Sequence, residues 1–264
     1  MGSSAAEAAT DLIQRLDDDQ QVVRRCAENA LARIGRGAVP ALINALASPS
    51  ENVQAGAARA LGQIGHAHEA AAPLIAKCQD KDTEVRAAAV EALSRVAPSS
   101  SEIIAPLTAA LRDEDSLVHQ AAINALIRID TEVQREGAPL IAEVLDQSER
   151  RPVSRAALVL GSFGPAATDV MPELLNALRA HPAVDEISTA IGRIGELALE
   201  PTFAALRSEE IRIDQVNRII DGMPAHVKVK LAAELDDTSA LVREVAALTV
   251  GKLVPIPPDA VELL

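Results

Sequence analysis

The stretch Val53–Gly65, VQAGAARALGQIG, returns throughout this chain. Close copies occupy Val23–Gly35, Val85–Ala97, Val118–Asp130 and Val242–Val254, and weaker ones Pro152–Gly164, Ala183–Gly195 and Arg212–Pro224. A spacing of roughly 30 residues argues against one central core, because a unit that short buries its apolar face only against its neighbours. With the first residue of each copy numbered 0, apolar or small residues fall at 0, 4, 7, 8 and 11. At about 100° per residue, these positions share one face of a helix. Alanine dominates positions 4 and 7, as in Ala27/Ala30, Ala57/Ala60, Ala89/Ala92 and Ala122/Ala125. Such small residues let adjacent helices approach to the short end of the roughly 8–10 Å range.

The segments between copies carry a second signal. The first repeat helix is expected over Gln20–Ile34, broken by Gly35 and Gly37. A second helix then starts at Pro40, where the missing N–H costs nothing. The same start recurs at Pro73, Pro106, Pro139, Pro172 and Pro201, so each repeat is a helical hairpin and the chain is all-α. Residues 1–4 are expected as a flexible tail, followed by a short amphipathic helix to about Leu16. Repeats six and seven lack the Val-Arg pair and are expected to be irregular. Residues 255–264 read as a C-terminal stub or partial repeat, and 1–264 as one solenoid.

Aspartate precedes arginine by six residues in Asp18/Arg24, Asp80/Arg86 and Asp237/Arg243. Where arginine becomes His119, Asp113 keeps the offset; where it becomes Gln54 or Val153, the partner is Ser48 or Gln147. The expected contact is a loop carboxylate accepting bonds from helix N–H groups and from the arginine.

The Val-Arg starts at Val23, Val85 and Val242, the Ala-Leu-x-x-Ile-Gly turns ending at Gly35 and Gly65, and Pro-x-Leu starts such as Pro40–Leu42 resemble HEAT repeats. The likeness is to the short bacterial form, also found in phycobilisome-lyase-like proteins, and covers nearly the whole chain. It implies a right-handed α-solenoid of about eight hairpins, with the Val-Arg helices on the concave side. The likeness is nearly silent on activity, and leaves a lyase-like enzyme subunit or a chaperone-type accessory factor as the alternative to a non-catalytic scaffold for a protein partner.

Helix geometry turns positions −2, −1, 2, 3, 6 and 10 away from the core stripe. The chain has a formal net charge of -13. Yet position 10 reads Arg33, Gln63, Arg95, Arg128, Ser162, Arg193, Gly222 and Lys252, without an acid. Arg25, Arg59 and Arg218 join this face, and Arg150, Arg151 and Arg155 cluster at the start of the fifth repeat helix, where N–H groups add positive potential. These ten arginines are the candidate partner-binding residues, suited to a protein or peptide with an acidic segment. Acids also enter the face at Glu51, Glu84, Glu91, Asp185, Glu186, Glu210, Asp214 and Glu244.

Other chemistries find little support. The acidic balance and the lack of Trp and Tyr oppose nucleic-acid binding, which needs basic grooves and stacking rings. No apolar run approaches a membrane span. His66, His68 and Glu69 form the only histidine cluster, short of a metal set. Cys26 faces the groove without a base to activate it. No P-loop, nucleophile elbow or dinucleotide fingerprint appears, so neither a catalytic residue nor a cofactor is expected. Two cysteines fit a reducing, cytoplasmic setting.

Overall fold

Helix boundaries here are set by glycine at one end and loop oxygens at the other. Gly35, Gly65, Gly164 and Gly195 take φ of 55° to 84°, a region that side chains adopt only with strain. Each follows a helix of the thirteen-residue pattern. At the starts, the side chains of Ser50, Asp82 and Asp115 accept from the N–H groups of Val53, Val85 and Leu117, satisfying donors that a helix leaves unpaired.

The computed structural model describes residues 2–252. It forms two compact units, Met1–Val133 and Gln134–Leu264, and no strand occurs among the described residues. The first unit contains α1 (Gly2–Gln14), α2 (Gln21–Ile34), α3 (Val39–Ala45), α4 (Glu51–Ile64), α5 (Ala71–Lys77), α6 (Thr83–Val96), α7 (Ile104–Ala110) and α8 (Ser116–Arg128). The long helices α2, α4, α6 and α8 stand side by side in chain order, and α3, α5 and α7 back onto α4, α6 and α8. Helix α9 (Thr131–Ala142) straddles the division. The second unit contains α10 (Arg150–Phe163), α11 (Met171–Ala180), α12 (Asp185–Ile194), α13 (Leu199–Arg207), α14 (Ile213–Asp221), α15 (Ala225–Val229) and α16 (Ala240–Lys252). There α10 packs on α12 and α12 on α14, while α16 packs mainly on the 3-10 segment Lys230–Asp236.

The core is the expected stripe. Val85, Ala89, Leu93 and Val96 are fully buried on α6, and Val118, Ala122, Ala125 and Leu126 on α8. The two phenylalanines, Phe163 and Phe203, are buried as well.

Several expectations change. Residues 2–4 belong to the first turn of α1 instead of a loose tail, since the alanine-rich start has high helix propensity. Pro139 lies inside α9 instead of starting a helix. Repeat four lacks a positive-φ glycine; Ile129, in extended conformation, ends α8, and a new helix begins at once. The expected irregularity of repeats six and seven is present: helices α12 and α14 have ten and nine residues against fourteen in α2, α4 and α6. The expected stub, 255–264, falls outside the described residues.

The aspartate–arginine offset also has a different chemistry. Arg24, Arg86 and Arg243 donate through Nη1 to the backbone carbonyls of Asp18, Asp80 and Asp237, at 2.7, 3.0 and 2.7 Å. The three carboxylates accept the N–H two residues onward, from Gln20, Asp82 and Ser239, at 2.9, 3.1 and 2.7 Å. In each, Oδ1 closes its own turn, and the guanidinium takes the loop carbonyl. Gln54 makes the same reach to Ser48 O at 2.5 Å, and His119 Nδ1 stands 3.4 Å from Asp113 O. Between repeats, the carboxylates do meet arginine. Arg86 grips Asp113 at 2.9 and 3.1 Å, and Arg207 grips Asp237 at 2.5 Å.

Candidate partner-binding face

In the first unit, the sides of α2, α4, α6 and α8 turned from the core stripe line two adjoining grooves. The first, of 450 Å³, runs along α2 and α4 and is walled by Arg24, Arg25, Asn29, Arg59, Gln63 and Glu84, among others. The second, of 360 Å³, lies along α6 and α8, with Ala87, Ala88, Leu117, Gln120, Ala121 and Asn124 in its walls. Arg59 and Glu84 belong to both. Most of these residues occupy the expected positions −1, 2, 3, 6 and 10, so the register read from the repeat holds within this unit.

Charge on this face is largely paired. Glu28 is only 6% exposed, and Arg59 Nε meets its carboxylate at 2.9 Å. A buried acid without such a partner would cost several kcal/mol by the usual order of magnitude, roughly 3–5. Arg59 also lies 3.8 Å from Glu84. Arg95 pairs with Glu91 one turn earlier, at 3.0 Å. In the second unit, Arg218 stands 3.4 and 3.7 Å from Asp214 and Asp185. Arg150 donates to Ala183 O at 2.8 Å, tying α10 to the next repeat.

The ten candidate arginines therefore divide. Arg59, Arg95, Arg150 and Arg218 are engaged within the chain, and Arg155 also has a partner. Among the described residues, no ion pair or side-chain hydrogen bond occupies Arg25, Arg33 or Arg128 in the first unit, or Arg151 and Arg193 in the second. All five are exposed. Arg193 borders a 50 Å³ recess with Leu158, Glu186 and Thr189. Arg128 lies in the first unit and the Arg150–Arg155 cluster in the second.

Sequence reasoning missed Glu28. An acid at position 5 resembles a solvated charge until Arg59, one repeat later, is seen to cover it. It also passed over the apolar part of the second groove, although Leu117 and Ala121 stand at positions −1 and 3. Cys26 is exposed and Cys78 buried. Burial pushes the Cys78 thiol up to about 12. Among the described residues, no three His, Cys, Asp or Glu side chains are grouped to hold a metal ion, and no helix is long and apolar enough to cross a membrane.

Comparison with known proteins matches this architecture. The HEAT repeats family matches residues 9–94 and 71–161, together more than half of the chain. No curated protein sequence matches. Among solved structures, the CpcE–CpcF complex of phycocyanin lyase from Nostoc sp. PCC7120 is 21% identical with a TM-score of 0.50, covering 58% of this chain and 98% of that one. Kap95p, described as binding RanGDP, is 15% identical with a TM-score of 0.59, covering 96% of this chain and 40% of that one. YibA of E. coli is 18% identical with a TM-score of 0.52, covering 94% and 96%. At these identities the likeness is one of fold. From its repeat pattern, its hairpin layers and the family match, the chain belongs to the HEAT-repeat family.

Proposed function

We propose that this chain is a non-catalytic interaction scaffold that holds a protein partner on the grooved face of α2, α4, α6 and α8. The observation that carries this reading is the coincidence, on one face, of two open grooves and of arginines with no partner among the described residues. Arg25 walls the first groove. Arg33 and Arg128 occupy position 10 on α2 and α8, the position that on α6 holds Arg95, which borders a separate 90 Å³ recess with Arg59 and Gln63. A surface that only solubilised the chain would gain nothing from uncompensated arginines in an acidic protein. An acidic partner segment suits them, and it can also compete with the exposed Glu84 and Glu91 for Arg59 and Arg95. CpcE and CpcF are described as a complex and Kap95p as binding RanGDP, which supports a binding role for this repeat architecture.

The test is capture of a partner from native lysate, identification by mass spectrometry, and calorimetric titration of that partner against the wild type and R25E/R33E/R128E. The expected result is at least a tenfold loss in the variant and weaker wild-type binding as salt rises. A partner whose affinity ignores both changes overturns the assignment of this face.

A further inference from the structure

We infer that the grooved face of the first unit takes an extended peptide segment, with a carboxylate at Arg25 and an aliphatic side chain about six residues away between α6 and α8. This rests on the scaffold reading above and specifies the form of the partner. The juxtaposition behind it is a polar groove on α2 and α4 running into an apolar seat on α6 and α8.

The seat comes first. Ala87, Ala88 and Ala121 contribute only methyl groups to the second groove, and Leu117, 58% exposed, stands beside them. Together they make an apolar surface that a bound aliphatic group would cover. These methyl groups and Leu117 form the apolar part of a groove whose other walls are Arg59, Glu84, Glu91, Gln120 and Asn124, and they offer a seat for one branched aliphatic side chain. There is no ring for stacking, which disfavours nucleobases.

The amides decide between an extended chain and a helix. Asn29 and Gln63 line the first groove and Gln120 and Asn124 the second. Gln120 Nε2 donates to Asn124 Oδ1 at 3.3 Å. Among the described residues, the Gln120 Oε1 and Asn124 Nδ2 atoms and both ends of the Asn29 and Gln63 amides have no partner. A primary amide donates and accepts, the complement of a peptide group. A bound helix would satisfy its own backbone and leave these amides unused. An extended segment presents unpaired N–H and C=O groups along its length, which four amides spread across the face can meet.

Charge and length complete the ligand. Arg25 has no partner among the described residues, whereas Glu28 beside it is neutralised by Arg59; a carboxylate is the complement of what remains. The acid seat on α2/α4 and the aliphatic seat on α6/α8 are two helix spacings apart, about 16–20 Å. At about 3.3 Å per residue, that is about five or six residues, of which six returns both side chains to the same side of an extended chain.

The full chain is tested on an array of random ten-residue peptides, and the best peptide, fluorescein-labelled, is titrated by anisotropy. The expected selection is Asp or Glu with Leu, Ile or Val about six residues away. Affinity falls at least tenfold with Ala121→Arg, which fills the seat, and with serine in place of the peptide's aliphatic residue. Arg25→Glu weakens binding at least fivefold, and lysine in place of the peptide's acid restores it. Leu117→Ser, on an exposed side chain, provides a second seat variant if Ala121→Arg lowers the melting temperature. A blank array, or binding indifferent to both seat variants, overturns the peptide inference. If a captured folded partner still responds to R25E/R33E/R128E, the scaffold reading stands without it; if that partner is indifferent too, both fall.

Discussion

Arg86 holds two loops at once. Its Nη1 donates to the carbonyls of Asp80 and Lys81, and its Nε and Nη2 hold the Asp113 carboxylate of the next repeat. Both side chains of the Arg86–Asp113 pair are 14% exposed. Lysine carries the charge but lacks the planar fork. Arg86→Lys is expected to cost about 1–2 kcal/mol and Arg86→Ala about 2–3, read by urea denaturation.

The same contacts set the acid limit. Burial pushes the Asp113 carboxyl up, but the Arg86 guanidinium and the Asp115 N–H pull it further down, below the ordinary value. Asp80 is lowered against burial by the Asp82 N–H and Lys77, and Asp237 by Arg207 and the Ser239 N–H. Glu234 moves the other way, raised by burial and by Asp237. A depressed carboxyl adds stability that is complete above its unfolded value, near 4, and is lost as pH falls through its folded value. With four such groups, Asp214 beside Arg212 being the fourth, against one opposing, the urea midpoint is expected to fall from about pH 5 towards pH 3, and Asp113→Asn to flatten the fall. In thiol titration, Cys26 is expected to react quickly and Cys78 only on unfolding, since only the first is exposed.

At the scale of elements, glycine at position 9 decides how close two long helices come. A Cβ on Gly62 would stand 3.0 Å from Ala92 Cα, one on Gly161 2.9 Å from Ala190 Cα, and one on Gly192 2.3 Å from Ile219 O. Among the described residues, Gly251 holds the same position on α16 with nothing within 4 Å. Gly192→Ala is therefore expected to destabilise by about 1–3 kcal/mol. Gly251→Ala is expected to be neutral or to stabilise by up to about 1 kcal/mol. Thermal denaturation of the pair separates contact from propensity.

This contrast also shows what sequence can carry. The apolar stripe was legible because every helix repeats it with the period of the fold. Position 9 was not, because the meaning of Gly62 depends on Ala92, thirty residues later, lying against it. The arginine–loop contact was half legible. Its six-residue spacing is written in the letters, but the acceptor is a backbone carbonyl, which no letter encodes. Of the candidate arginines, the exposed face followed from helix geometry. Which of them were already engaged depended on neighbours such as Glu28 and Asp185 in adjoining repeats.

Across the whole molecule, stability should follow the order of contacts along the chain instead of a shared centre. A layer in a repeat array is held by its own packing and by its immediate neighbours. Leu93 is fully buried on α6, which packs on α4 and α8. Leu93→Ala is expected to cost about 2–5 kcal/mol, and the loss should stay close to where it is made. In native-state hydrogen exchange, amides of α4, α6 and α8 are expected to lose protection first, while those of α10 and α12 keep wild-type rates at low denaturant. Equal loss of protection in both units would mean that they unfold as one cooperative body. Nearest-neighbour packing would then no longer account for the stability of this chain.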